Sequence, residues 1–280
     1  MLITEEEKKQ YEKDNEAFLK EFFSRSMANP LRKYSGRLLP ERNKGWKAAY
    51  NNQALAMRIV KNYKSNPNPT KGTVIDLIAN MSCYKSDEEL GADILTYLTA
   101  GHDTTAYSMA FTLLELAKNP EQQKKVQLDL ANMTAQEWSK SQALQMAIKE
   151  SMRLHPVSTI GSTRQVGRDF VTKEGWNIPA NSIVSCSIGL MHHNSNVFEN
   201  PDQFIPSRWE NPTKEMKEAF MIFSAGKQNC IGQSLANAEM HCIVPRILSE
   251  VDLEVSEGGG TEWFLTLKPA GTMLKPKLRM

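Results

Sequence analysis

The sequence predicts a mainly α-helical fold with a small β-sheet region. Helical patterns bounded by prolines occupy most of the first 155 residues. Short β-branched and aromatic runs, punctuated by glycine and proline, follow from about residue 156. A composition 40% hydrophobic and 24% charged over 280 residues suits a globular chain with a sizeable core.

Residues 5–28 are charged but place Tyr11, Phe18, Leu19, Phe22 and Phe23 at helical spacing, and Asn29-Pro30 closes that pattern. A polar, basic loop to about Trp46 and a helix from about Lys47 to Tyr63 follow, ending at Asn66-Pro67-Asn68-Pro69. The best-marked helix spans about 86–119. It opens on Ser86-Asp87-Glu88-Glu89, a capping-box pattern, and stops at Asn119-Pro120. Leu90, Ile94, Leu95, Leu98, Ala110, Leu113, Leu114 and Leu116 make it apolar over much of its circumference, so it is expected to cross the interior. Its polar middle, Ala100-Gly101-His102-Asp103-Thr104-Thr105, conflicts with burial, and such conflicts mark function. Helices from Pro120 to about Met133 and from about Ser141 to His155 come next. Strands are expected at Phe170-Val171, Trp176–Ile178 and Ile183–Ile188, then a loop over 194–213. A last helix runs from Cys230 into the 240s, bent at Pro245, before a terminal hairpin around Trp263–Leu267 and Leu274–Pro276.

Several classes fall away. Lys+Arg 34 against Asp+Glu 32 gives a net charge of +2 and no general attraction to nucleic acid. Cys83, Cys186, Cys230 and Cys242 form no C-x-x-C pair, which argues against zinc and disulfide frameworks and for a reducing compartment. The start lacks the charged-then-apolar order of a signal peptide, and no run approaches the roughly 18 apolar residues of a spanning helix.

The chemistry concentrates in a few segments. Phe223-Ser224-Ala225-Gly226-Lys227-Gln228-Asn229-Cys230-Ile231-Gly232 sets a cysteine between glycines, just ahead of a predicted helix. Glycine permits tight turns and close approach by a flat ligand. A helix start offers free amides and the positive end of the dipole, a setting that favours a thiolate. A lone cysteine is more often a small buried hydrophobe, and it is the F-x-x-G-x-x-x-C-I-G context that changes the reading. Glu150 and Arg153 stand three apart on one helical face. Exposed, that pair is worth little; buried, it needs every hydrogen bond met.

Residues 223–232 resemble the haem-binding loop of cytochromes P450. Ala100–Thr105 is similar to the oxygen-activation motif of that family's long central helix. Glu150-Ser151-Met152-Arg153, with Leu154-His155-Pro156, resembles its E-x-x-R helix, and Phe204-Ile205-Pro206-Ser207-Arg208-Trp209 resembles its meander motif. Each is weak alone. All of them in family order are specific, and the resemblance runs from about residue 15 to the end.

The resemblance implies a single cytochrome P450 domain over 1–280, truncated at its N-terminal side. It implies haem b with Cys230 as the iron ligand, and Phe223, Gly226, Ile231, Gly232, Ala100, Gly101 and Arg164 around the cofactor, Arg164 on a propionate. Thr104 then steadies iron-bound oxygen while Asp103 relays the protons that O–O cleavage requires. Glu150, Arg153 and Arg208 form a structural triad. The implied activity inserts one atom of dioxygen into a small lipophilic organic substrate, with electrons from an NADPH-dependent reductase or a ferredoxin. The implied location of the full-length form is the endoplasmic-reticulum membrane, facing the cytosol. The Asp103–Thr104 pair argues against a peroxide-dependent relative; a haem-free helical fragment is the other alternative. Gln228 stands where the family usually carries a basic residue, and Ala225 where glycine is common. Family members normally carry a longer N-terminal region that supplies one wall of the pocket, so these residues alone are expected to hold haem weakly.

Overall fold

The computed structural model describes residues 3–24, 39–66, 71–263 and 265–279. The chain divides into two compact units, Met1–His102 and Asp103–Met280.

In the first unit, α1 (Glu5–Phe23) starts in a capping box: Thr4 Oγ1 accepts from the Glu7 amide, and the Glu7 carboxylate accepts from the Thr4 amide. Its apolar stripe is shallower than its spacing predicts, since Tyr11 is buried but Phe22 is 50% exposed. The stop expected at Asn29-Pro30 lies outside the described residues, as do Pro67 to Pro69. α2 (Pro40–Ser65) begins at Pro40 rather than Lys47. Residues 40–46, expected as the end of a loop, are helical because a first-turn proline needs no amide partner and has its φ already set; residues 31–38 of that loop lie outside the described residues. α2 lies close against α1 at Gly45, where an added Cβ would fall 2.3 Å from Glu21 Cβ. A short helix absent from the sequence reading, α3 (Val74–Ile78), is tied to α2 by Tyr63 Oη donating to Asp76 at 3.0 Å. Ala56, Ile59, Val60, Tyr63, Ile75, Leu90 and Ile94 form the core of this unit.

The long helix α4 (Asp87–Lys118) is continuous through Gly101. Ser86 Oγ accepts from the Glu89 amide at 3.3 Å, while the Glu89 carboxylate reaches back to the Lys85 amide at 2.7 Å, one residue further than a standard box.

The second unit holds the end of α4, then α5 (Pro120–Ala131) and α6 (Gln142–Leu154). After these come β1 (Ile160–Gln165), β2 (Phe170–Val171), β3 (Asn177–Ile178), β4 (Ile183–Ser187), α7 (Ile188–His192), α8 (Lys214–Ala219) and α9 (Gln233–Glu250). It closes with β5 (Val251–Glu257), β6 (Gly260–Trp263), β7 (Leu267–Ala270) and β8 (Met273–Leu278). Antiparallel ladders pair β1 with β4, β2 with β3, β5 with β8 and β6 with β7. The fold class is therefore as expected, with corrections in detail. Ile188 starts α7 instead of ending a strand, and the two arms expected of the terminal hairpin do not pair with each other: β6 pairs with β7, while β8, which holds 274–276, pairs with β5, a strand the sequence does not predict. α9 begins at Gln233, not Cys230, and runs on through Pro245.

Leu116, Val126, Leu130, Leu144, Ile148, Met240, Val244 and Leu248 weld α4, α5, α6 and α9 into one core. Two buried glutamines stitch α5 to the start of β5. Gln123 donates to the Leu116 and Leu253 carbonyls and accepts from the Leu253 amide, and Gln127 donates to Asp252. Ser141, fully buried, caps α6 through the Leu144 amide and donates to Asp129 at 2.6 Å. Gln123→Ala strands the Leu253 amide and two carbonyls; the expected loss is about 2 kcal/mol in urea unfolding of the full chain.

Candidate functional site

The deepest polar feature of the second unit is built on α6. Glu150 and Arg153 are both fully buried. Arg153 grips the Glu150 carboxylate in a fork, Nε to Oε2 at 3.0 Å and Nη2 to Oε1 at 2.9 Å. Its other guanidinium hydrogens go to the carbonyls of His192, Pro201 and Gln203, which uses all of its donors. Glu150 accepts three further bonds: from Arg208 Nε at 2.9 Å, from the Ile205 amide at 3.0 Å and from the Trp209 indole at 2.9 Å. Arg208, 9% exposed, donates two further bonds, to the Glu199 and Asn200 carbonyls. The structure thus brings together the three charged residues that the sequence grouped. It adds Trp209, whose indole was legible only as part of a motif.

The cluster reaches the cysteine loop through aromatic packing. Trp209 meets Phe220 edge-on with ring centroids 5.0 Å apart, and both pack with Phe198 and Met216. Phe220, Ile222 and Phe223 then lie against the main core. At Phe223 the chain turns into the loop. The Phe223 carbonyl accepts from the Cys230 amide at 2.8 Å, and the Gly226 carbonyl from the Asn229 amide at 3.3 Å. Ser224 at φ 61° and Gly226 at φ 82° take the left-handed turns that closure requires. For serine that conformation is uncommon, and such departures cluster at functional sites. Cys230 is exposed, and Gly232 lies beside it: a Cβ there would meet the Cys230 sulfur at 3.8 Å. Ile231 is 79% exposed.

The other expected site residues are scattered along the chain. Asp103 and Thr104 are half-buried on α4, and Ser108 Oγ donates to the Thr104 carbonyl at 2.8 Å. Ala100 and Gly101 are exposed on α4 within the first unit. Arg164 is exposed on β1 and donates to the Thr163 carbonyl at 3.1 Å.

Two buried titrating groups flank the cluster. Burial works against the charge on Glu115, but His155, 3.0 Å away, and then Lys118 outweigh it and hold that carboxyl below its ordinary pKa. His192 is fully buried against Phe220, with Nδ1–H donating to the Arg153 carbonyl. Burial lowers its pKa to about 4.

A helix-rich chain with a loop-borne cysteine beside a buried Glu–Arg–Arg cluster is a narrow class. The family profile described as Cytochrome P450 matches residues 1–280. The chain belongs to the cytochrome P450 family. A porcine (Sus scrofa) taurochenodeoxycholic 6 alpha-hydroxylase is 35% identical over 176 residues, 60% of this chain and 34% of that protein. Rat (Rattus norvegicus) cytochrome P450 4F5 is 38% identical over 170 residues, covering 57% of this chain and 32% of the relative. Human (Homo sapiens) cytochrome P450 4F2 is 37% identical over 170 residues, with 57% and 32% covered. The matched part is thus about a third of each relative's length. Among solved structures, a cytochrome P450 crystal structure (CYP102L1) superposes with a TM-score of 0.76 at 23% identity, over 88% of this chain and 60% of that one.

Removing the Glu150 charge leaves Arg153 buried without its counter-ion. Glu150→Gln is expected to destabilise the full chain by about 3–5 kcal/mol in urea unfolding, whereas Arg164→Gln changes it by less than about 0.5 kcal/mol. His192 predicts an acid limb. Its folded pKa lies below the unfolded 6.5, so between these values only the unfolded chain takes up the proton, and stability falls as pH drops from 6.5 towards 4. The expected loss is roughly 3 kcal/mol, and His192→Phe flattens that limb in stability-versus-pH curves.

Proposed function

We propose that the chain is the cysteine-bearing part of a haem-dependent monooxygenase, which inserts one atom of dioxygen into a lipophilic organic substrate. One observation carries the reading: an exposed thiol, Cys230, presented by a closed left-handed turn whose foot rests on the packed core. The residues fit the cofactor. Among the described residues no group of three or more His, Cys, Asp or Glu side chains is placed to hold a metal ion. A metal taken by Cys230 would therefore bring its other ligands with it, as haem b does. The open side of Gly226, where an added Cβ meets nothing within 4 Å, and the bare flank at Gly232 leave room for a flat ring.

In this reading Cys230 would be the protein's ligand to haem, and its thiolate would supply electron density that favours O–O cleavage. Phe223, Ile231 and Gly232, with Gly226 at the turn, would help to hold the cofactor. Arg164 pairs with a propionate, for which its exposed guanidinium has donors to spare. The Thr104 hydroxyl holds a proton donor near the reacting oxygen, and the Asp103 carboxyl passes protons to it from solvent; Ala100 and Gly101 supply the small-residue stretch of that helix. Glu150, Arg153 and Arg208 touch no reactant and hold the loop's base in place.

The hydroxylase named among the relatives supports an oxygen-inserting reaction on an organic molecule, and the family supports electrons from NADPH through a reductase, or from a ferredoxin. A location at the endoplasmic-reticulum membrane, facing the cytosol, is part of the same proposal. No helix among the described residues is long and apolar enough to cross a membrane.

After haem reconstitution, dithionite-reduced protein treated with carbon monoxide is expected to show the red-shifted Soret band of thiolate ligation. Cys230→Ala is expected to abolish that band. An unshifted band in the unaltered chain would contradict the assignment.

A further inference from the structure

A cleft of about 470 Å³ opens between the C-terminal half of α2 and the first turn of α4. Its walls are Met57, Arg58, Lys61, Lys64 and Ser65 from α2, and Asp87 from α4. The cleft is cationic, with three basic side chains against one carboxylate. Lys64 pairs with Asp87, and Arg58 with Glu7 from α1. Lys61 stands between those two pairs, and among the described residues it has no ion-pair partner.

The spacing gathers like charges on one side of the helix. Arg58 and Lys61, and again Lys61 and Lys64, are three residues apart, which puts neighbouring stems on one side of a helix and their charges in mutual repulsion. Lys64 lies in the last turn of α2, where it also answers the helix dipole, but Lys61 and Arg58 lie further in. Asp87 and Glu7 answer two of these cations, which leaves the charge of Lys61. A phosphate offers several acceptor oxygens and up to two charges, and Arg58 has enough donors to keep Glu7 while contacting a second anion. The volume falls in the range of small-molecule sites, and Met57 adds an apolar surface for the rest of such a ligand.

We propose that this cleft binds a phosphate-bearing ligand, with Lys61 as the central contact and Arg58 and Lys64 on either side. A soluble phosphate ester and a phospholipid headgroup both present this group, and the two sources separate by experiment. Titration calorimetry of the full chain with pyrophosphate, at constant ionic strength, tests the first. Sedimentation with phosphatidylcholine vesicles, with and without phosphatidic acid, tests the second. Lys61 is exposed, so Lys61→Ala leaves the fold intact and Lys61→Arg keeps the charge. One-site pyrophosphate binding that weakens about tenfold in Lys61→Ala and survives in Lys61→Arg establishes the site for soluble phosphates. Vesicle binding that requires both phosphatidic acid and Lys61 establishes it for a headgroup. Absence of both kinds of binding, or binding that Lys61→Ala leaves unchanged, overturns the proposal. Neither assay reads haem, so the outcome is independent of the monooxygenase reading.

Discussion

The second unit depends on one buried carboxylate. Glu150 is fully excluded from water and accepts five hydrogen bonds, two from Arg153 and one each from Arg208, Trp209 and the Ile205 amide. A buried ion pair gains little when its partners are left under-bonded, because the desolvation of each charge then goes uncompensated. Here the accounting closes: the carboxylate is saturated, and Arg153 disposes of its remaining hydrogens on three carbonyls from the 192–203 region. The guanidinium therefore fixes the path of an irregular segment that has no ladder of its own to fix it.

From that hub, order passes to the cysteine by packing. Trp209 is held by its indole bond to Glu150 and wedges against Phe220, and Phe220 and Phe223 lie on the helical core. The loop then springs from Phe223 and returns to it through the Cys230 amide, with the unfavourable φ of Ser224 absorbed in the turn. A packed foot and an exposed tip suit the ligand role proposed for Cys230. The neighbouring His192, neutral and stacked on Phe220, belongs to the same frame and makes it sensitive to acid.

Much of this was legible in the sequence, and the reasons differ by element. α6 announces itself by its apolar period, by Ser141 as cap and by Pro156 after its end, and the structure agrees within a residue. The charged cluster was legible because Glu150 and Arg153 share a helical face and Arg208 lies in its own motif. What was not legible is backbone chemistry: the carbonyls that receive Arg153 carry no side-chain signature. The start of α2 was misread because its first turns are polar, and polarity looks like loop until packing at Gly45 decides otherwise. β1 lacks alternation and is mostly exposed, so only its pairing with β4 defines it. β5 does alternate, at Val251, Leu253 and Val255, but follows so directly on α9 that its apolar residues read as more helix.

If the Glu150 hub orders the loop that presents Cys230, amide hydrogen exchange on Arg208→Lys reads it out directly. Lysine keeps the charge but loses the bonds to Glu150, Glu199 and Asn200 as arginine makes them. Protection is expected to fall together at the Ile205 amide, which bonds Glu150, and at the Cys230 amide, which bonds Phe223, while the amides of α4 are unchanged. A Cys230 amide that exchanges as slowly as in the unaltered chain, while that of Ile205 speeds up, would show that the loop stands without the hub.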